Sequence, residues 1–230
     1  MSKHIGIVAC SAEGAALCYR TICLEGAEAF GRHSHPEVSM HTHPLAEYMR
    51  HIETDDWDAV AALMLSSAEK LVRCGADFLI CPDNTVHRAF DRVLKSSPLP
   101  WLHIAEEVAA RAAILNYGCL GVLGTRYLME GPVYPARLAV LGIDYRIPAP
   151  PDRRRINEII LNELVNGQFT GESRTYFGRV IDELRNEGCD AVVLGCTEIP
   201  LLVAQQDSAL PILDSTRLLA RAALRRASAD

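Results

Sequence analysis

The chain has 230 residues, of which 49% are hydrophobic and 23% charged, with a formal net charge of -6. That composition builds one large or two small globular units around an apolar core and excludes disordered and fibrous classes. Basic residues are dispersed apart from Arg153-Arg154-Arg155, and neither GxxxxGK[ST] nor GxGxxG occurs, so nucleic acid, anionic membrane surfaces and a nucleotide cradle are not expected.

In chain order, Met1-Ser-Lys-His runs directly into an apolar strand over 5–9, with no secretory leader, which predicts a cytoplasmic protein. A helix follows from about Glu13. Trp57, Val60, Ala61, Met64, Leu65, Ala68 and Leu71 recur at three-and-four spacing, predicting an amphipathic helix with Thr54 as N-cap and Gly75 just past its end. A strand is expected over 78–81 and a helix after it through Val86, Phe90, Val93 and Leu94. The longest uncharged stretch, 112–125, has 14 residues and is too short to cross a bilayer. A strand over 121–124 opens the second half. Two helical patterns follow, one through Ile156, Ile159, Ile160 and Leu164, the other through Phe177, Val180, Ile181 and Leu184. Such strand-helix alternation predicts parallel sheets with covered faces.

The eight cysteines show no CxxC pair and no finger spacing, and read mainly as small buried hydrophobes. Lysine occurs only at positions 3, 70 and 95, so no Schiff-base lysine for pyridoxal phosphate is expected. His33, His35, His41 and His43 alternate as strand residues do, but no cysteine or carboxylate cluster completes a site, and no metal is expected.

Laid against itself, the chain repeats. Gly75-Ala-Asp77-Phe-Leu-Ile-Cys-Pro-Asp83-Asn-Thr matches Gly188-Cys-Asp190-Ala-Val-Val-Leu-Gly-Cys196-Thr-Glu, 113 residues on. Gly6-Ile-Val-Ala matches Gly121-Val-Leu-Gly at 115, and Leu99-Pro-Trp-Leu-His103 matches Leu210-Pro-Ile-Leu-Asp214 at 111. Asp83 and Cys196 therefore hold equivalent places after a strand, where open α/β sheets bind ligands. Two proton-transfer groups related in this way suit removal of a proton from one face of a carbon and its return to the other.

Pro82-Asp83-Asn84-Thr85-Val-His87 and Gly195-Cys196-Thr197-Glu198-Ile199 resemble the paired signatures of the aspartate/glutamate/hydantoin racemase superfamily. Leu123-Gly-Thr125-Arg126-Tyr-Leu-Met129-Glu130 and Ile156-Asn157-Glu158 resemble its middle segment, so the likeness covers essentially the whole chain and is greatest to the bacterial aspartate/glutamate racemase branch. The resemblance implies an α/β fold of two Rossmann-like subdomains related by a pseudo-twofold, with the active site in the cleft between them. The first subdomain is expected over 1–98 plus 209–230, and the second over 99–208. It also implies cofactor-free proton transfer by paired groups, a homodimer, and a small amino acid or related carboxylic acid as substrate.

Cys196 and Asp83 are the expected catalytic pair. Ser11, Asn84, Thr85, Thr125 and Thr197 are expected to bind substrate, with Glu13, His87 and Glu198 in support; the plain alternative for the short polar residues is helix capping. The family pattern has cysteine where Asp83 stands, and Cys81 lies about 7 Å deeper on the strand. An ordinary carboxylate is roughly 6 kcal/mol less basic than a thiolate, so burial and a neighbouring Cys196 thiolate are expected to close the gap, with the helix start after Cys196 favouring the thiolate. The leading expectation is a pyridoxal-independent amino-acid racemase or epimerase. The alternatives are a single-thiol decarboxylase or isomerase of the same superfamily, and an impaired binding protein. Aspartate-specific relatives carry a Pro-x-x-x-Asp-Arg-Thr loop whose arginine holds the second carboxylate. The stretch 41–50 lacks it, which predicts a broad side-chain preference unless Arg50, Arg126 or Arg155 reaches in.

Overall fold

In the computed structural model, which describes residues 2–229, the chain divides into two compact units, one running to residue 104 and resuming at 216, the other spanning 105–215. The first unit holds β1 (Ile5–Ala9), β2 (Val38–Thr42) and β3 (Phe78–Ile80), all parallel, in the order β2-β1-β3. Every residue of β1 and β3 is buried, as a sheet covered on both faces requires. The final helix, Ser215–Ser228, lays Leu219, Ala220, Ala223 and Ala227 against Ile5, Ile7, Phe78 and Ile80.

The second unit holds β4 (Cys119–Leu123), β5 (Asp144–Arg146), β6 (Ala191–Leu194) and β7 (Ile212–Asp214), parallel, in the order β5-β4-β6-β7. Its core joins Ile156, Ile159 and Ile160 of the helix Pro150–Asn162 to Phe177, Ile181 and Leu184 of the helix Gly171–Asn186, over Val192 and Leu194. Among the described residues no helix is long and apolar enough to cross a membrane.

The units divide six to seven residues later than the 98/99 and 208/209 boundaries expected from the sequence. Hydrogen bonding explains both displacements. Leu79 N donates to Pro100 O (2.9 Å) and Leu102 N to Leu79 O (3.1 Å), which binds 100–102 to β3. Residues 212–214 form β7 and pair with β6, so they belong to the second unit and only the helix after them joins the first.

The internal repeat extends to single atoms. Gly75 and Gly188 both have φ +89°, a conformation that glycine adopts without strain. After each, the next residue's amide closes back on the helix, Ala76 N to Leu71 O and Cys189 N to Leu184 O, both 3.1 Å. Asp77 Oδ2 then accepts from His4 N (2.6 Å), and Asp190 Oδ2 from Gly118 N and Cys119 N (2.7 and 2.9 Å).

Two local expectations are corrected. Thr54 ends the helix Leu45–Glu53, and Asp56 caps the helix Trp57–Arg73, its Oδ1 accepting from Ala59 N at 3.0 Å. The turn after Asp83 begins as a 3-10 segment, Thr85–Ala89, before the short helix Phe90–Leu94.

Candidate active site

Because β1 and β3 are adjacent and parallel, their carboxyl ends bring the loops carrying Ser11, Glu13 and Asp83 through His87 to one edge of the first sheet. Ser11 holds the N-cap backbone position of the helix Ala12–Phe30 without its hydroxyl capping that helix, and Glu13 lies in the first turn. Asp83 is half-buried, while Asn84, Thr85 and His87 are buried. Asp83 Oδ1 accepts from Val86 N (3.2 Å), so this carboxylate caps its own turn.

His87 grips the same loop. Its Nδ1 lies 2.7 Å from Asp83 O, and its Nε2 accepts from Ile104 N at 3.3 Å. A carbonyl on one side and an amide on the other define the neutral tautomer with the proton on Nδ1. The ring stacks on Phe90 and meets His103 edge-on. Cys81, beneath Asp83, is fully buried, and burial together with the Asp83 charge pushes its thiol well above the ordinary range despite a backbone bond from Asp83.

In the second unit β4 and β6 are likewise adjacent, so Thr125 and 195–198 share one sheet edge. The two loops are held close by glycines. Gly195 N donates to Leu123 O (2.7 Å), and a Cβ on Gly195 would stand 2.7 Å from that oxygen, so a side chain there would push the loop away. Thr125 Oγ1 caps the short helix Arg126–Met129, accepting from Leu128 N at 3.2 Å.

Cys196 is buried, and its Sγ donates to Glu198 Oε2 at 2.9 Å; Thr197 Oγ1 donates to the same oxygen at 3.1 Å. Glu198 is itself buried, and its Oε1 has no hydrogen-bond partner among the described residues. The helix after it, Ile199–Leu202, is a single turn with Pro200 inside, and the group that accepts from the sulfur is a carboxylate. Signals for Glu198 existed in the motif, but not for its direct contact with Cys196.

Two of the arginines considered as anion clamps are otherwise engaged. Arg155 faces Glu158 and Glu163 (3.5 and 4.0 Å), and the Arg126 guanidinium lies over the Tyr127 ring. Arg50 lies exposed in the last turn of Leu45–Glu53. His41 and His43 pair with Ser67 and Ser66, and among the described residues no group of three or more His, Cys, Asp or Glu is placed to hold a metal ion.

The chain is similar to several known proteins. A candidate Asp/Glu racemase of Yersinia pestis superposes over 98% of this chain and 99% of its own, with TM-score 0.88 and 32% identity. An aspartate racemase homologue from Pyrococcus horikoshii superposes over the whole of both chains, with TM-score 0.84 and 26% identity. A broad specificity amino-acid racemase, RacX of Bacillus subtilis, is 24% identical over 172 residues, 72% of this chain and 71% of its own. The aligned region spans only 53% of a glutamate racemase from Limosilactobacillus reuteri, also at 24% identity. The Asp/Glu/Hydantoin racemase family model matches residues 7–223, and the chain belongs to that family.

Proposed function

We propose that this protein is a pyridoxal-independent amino-acid racemase or epimerase that needs no cofactor and acts at the α-carbon of a small, carboxylate-bearing amino acid. The observation that carries this reading is the Cys196-Glu198 hydrogen bond at the end of β6, at the repeat position equivalent to Asp83 after β3. A thiol bonded to a buried carboxylate has an acceptor for its own proton. Glu198 takes the sulfur's proton, the thiolate removes the substrate α-hydrogen, and the Asp83 carboxyl returns a proton to the opposite face; the reverse direction exchanges the roles. Ser11, Asn84, Thr85, Thr125 and Thr197 supply the short polar groups for the substrate carboxylate and amine.

Family membership and the likeness to RacX, a broad specificity amino-acid racemase, support this reading, as does the lack of an uncommitted arginine at 126 or 155 for a broad side-chain preference. The test is α-hydrogen exchange in deuterated buffer, with chiral chromatography of aspartate, glutamate, serine and homoserine. The parent protein should exchange at least one of them without added cofactor. Cys196→Ala and Cys196→Ser should abolish exchange with folding intact. Glu198→Gln should lower it about 10²-fold, the usual scale for losing a proton-transfer partner. Full activity in Cys196→Ala would overturn the mechanism.

The bond from Val86 N to Asp83 Oδ1 favours a second reading, in which Asp83 only shapes its loop and Cys196 works alone in a decarboxylase or isomerase. In that case Asp83→Ala would behave as the parent. Ligand-induced thermal shifts with no turnover of any kind would leave only binding.

A further inference from the structure

Away from the site edge of the second sheet, at the amino ends of β4 and β6, two thiols stand together. Cys119 Sγ and Cys189 Sγ are 3.9 Å apart. Nothing in the fold demands thiols there, since the repeat places His4 and Ala76 at the equivalent positions of the first unit. The backbone around the pair is tied on both sides: Asp190 N donates to Cys119 O (2.8 Å), and Asp190 Oδ2 accepts from the amides of Gly118 and Cys119. The thiols are thus held as neighbours rather than meeting by chance motion. A disulfide needs the sulfurs to close to about 2.05 Å. Cys119 is the first residue of β4 and Cys189 lies in the turn before β6, so that movement falls at strand ends and leaves the ladder intact.

We infer that Cys119 and Cys189 are a peroxide-reactive dithiol, closing to a disulfide that staples β4 to β6. The two positions are unequal, which fixes the order of steps. Cys119 is half-buried and within reach of a small oxidant, whereas Cys189 is buried. Burial and the nearby Cys119 push the Cys189 thiol up to about 12, although the Arg146 guanidinium pulls the other way. Cys119 therefore reacts first. Its sulfur attacks a peroxide oxygen, the O–O bond breaks, and a sulfenic acid and one water result. The Cys189 sulfur then attacks the sulfenic sulfur, the S–O bond breaks, the S–S bond forms, and a second water leaves carrying the remaining thiol proton. Two thiols and one peroxide give one disulfide and two waters.

The experiment uses the full chain, freed of reductant, treated with one equivalent of hydrogen peroxide and then with iodoacetamide, and digested without reduction. Mass mapping should show the peptides of Cys119 and Cys189 joined with loss of two hydrogens, and dithiothreitol should separate them. The closed loop joins residues 70 apart in sequence, so Tm should rise on the order of 5–10 °C on oxidation. Cys189→Ser should leave a sulfenic acid on Cys119 that dimedone traps, and Cys119→Ser should leave Cys189 carrying carbamidomethyl or unmodified. Sulfinic acid on Cys119 of the parent without a crosslink, a crosslink between other cysteines, or no oxidation at either position would each overturn the inference. No readout depends on racemase activity.

Discussion

Tyr48 sits fully buried on the helix Leu45–Glu53, and its hydroxyl has no hydrogen-bond partner among the described residues. The Ser67 hydroxyl beside it lies 2.9 Å from His41 Nδ1, and its interaction with the phenol offsets only part of what burial does. Burial, with Cys81, Cys10 and Asp83 around it, drives the ionisation of Tyr48 far above the ordinary phenol range. An orphaned buried hydroxyl costs about 1–3 kcal/mol. Tyr48→Phe keeps the ring and removes the orphan, so it should raise the stability of the protein by about 1 kcal/mol, read from the denaturant midpoint at unchanged slope. A loss of stability would mean that the hydroxyl is bonded in solution. The sequence offers no sign of this residue, because an orphan is a property of what surrounds a side chain and not of its type. Asp83, Cys196 and Glu198 were legible as site candidates because each stands in a short motif after a buried strand. Which of their oxygens caps a turn, and which meets the thiol, depends on rotamers that no motif encodes.

At the scale of elements, the apolar strands β1, β3, β4 and β6 and the long amphipathic helices were readable, since burial on both faces writes a continuous hydrophobic run and burial on one writes a 3.6 period. The edge strands β2 and β5 were not. All of β5 is exposed and β2 has no buried residue, so neither carries a hydrophobic signal, and pairing with the buried strand beside each is what forms them. The helix Gly171–Asn186 is anchored outside the core by a polar cluster, in which Tyr176 Oη donates to Asp152 Oδ1 at 2.6 Å and Arg179 bonds both Asp152 and Glu183. Burial alone would raise the Asp152 carboxyl, but the bonds from Tyr176 and Arg179 outweigh it and hold it below the usual carboxylate range. A folded-state value below the unfolded one means stability that is present above about pH 4 and lost as pH falls through the lower folded value. Arg179 is nearly half exposed, at 46%, so solvent screening keeps the pair within about 1 kcal/mol. Midpoints measured from pH 7 down to pH 3 should therefore fall less steeply in Asp152→Asn than in the parent. Parallel curves would show that the cluster contributes nothing.

The whole molecule is two copies of one plan, and the sequence carried that plan in three landmarks at offsets of 111 to 115 residues. What the landmarks did not reveal was where each copy ends, because the boundary is set by hydrogen bonds from 100–102 to β3 and from β7 to β6 rather than by any change in composition. The shared plan makes a paired prediction possible. Asp77 and Asp190 occupy the same position after a helix-ending glycine, and each uses Oδ2 to hold backbone amides at the start of the neighbouring strand. Replacing either carboxylate by alanine leaves those amides without their charged acceptor, at a cost of about 1–3 kcal/mol. Asp190 holds two amides where Asp77 holds one, so Asp190→Ala should be the more damaging. Among the described residues the Asp77 carboxylate bonds within the first unit and the Asp190 carboxylate within the second, and groups without shared partners act additively to within about 0.5 kcal/mol. Hydrogen exchange resolves the two effects: Asp77→Ala should weaken protection in β1 and β3 first, Asp190→Ala in β4 and β6. The double variant should show the sum of the single losses in denaturant unfolding. A double variant markedly less impaired than that sum, or protection lost equally in all four strands from either single change, would show that the two copies do not keep their hydrogen-bond energetics to themselves.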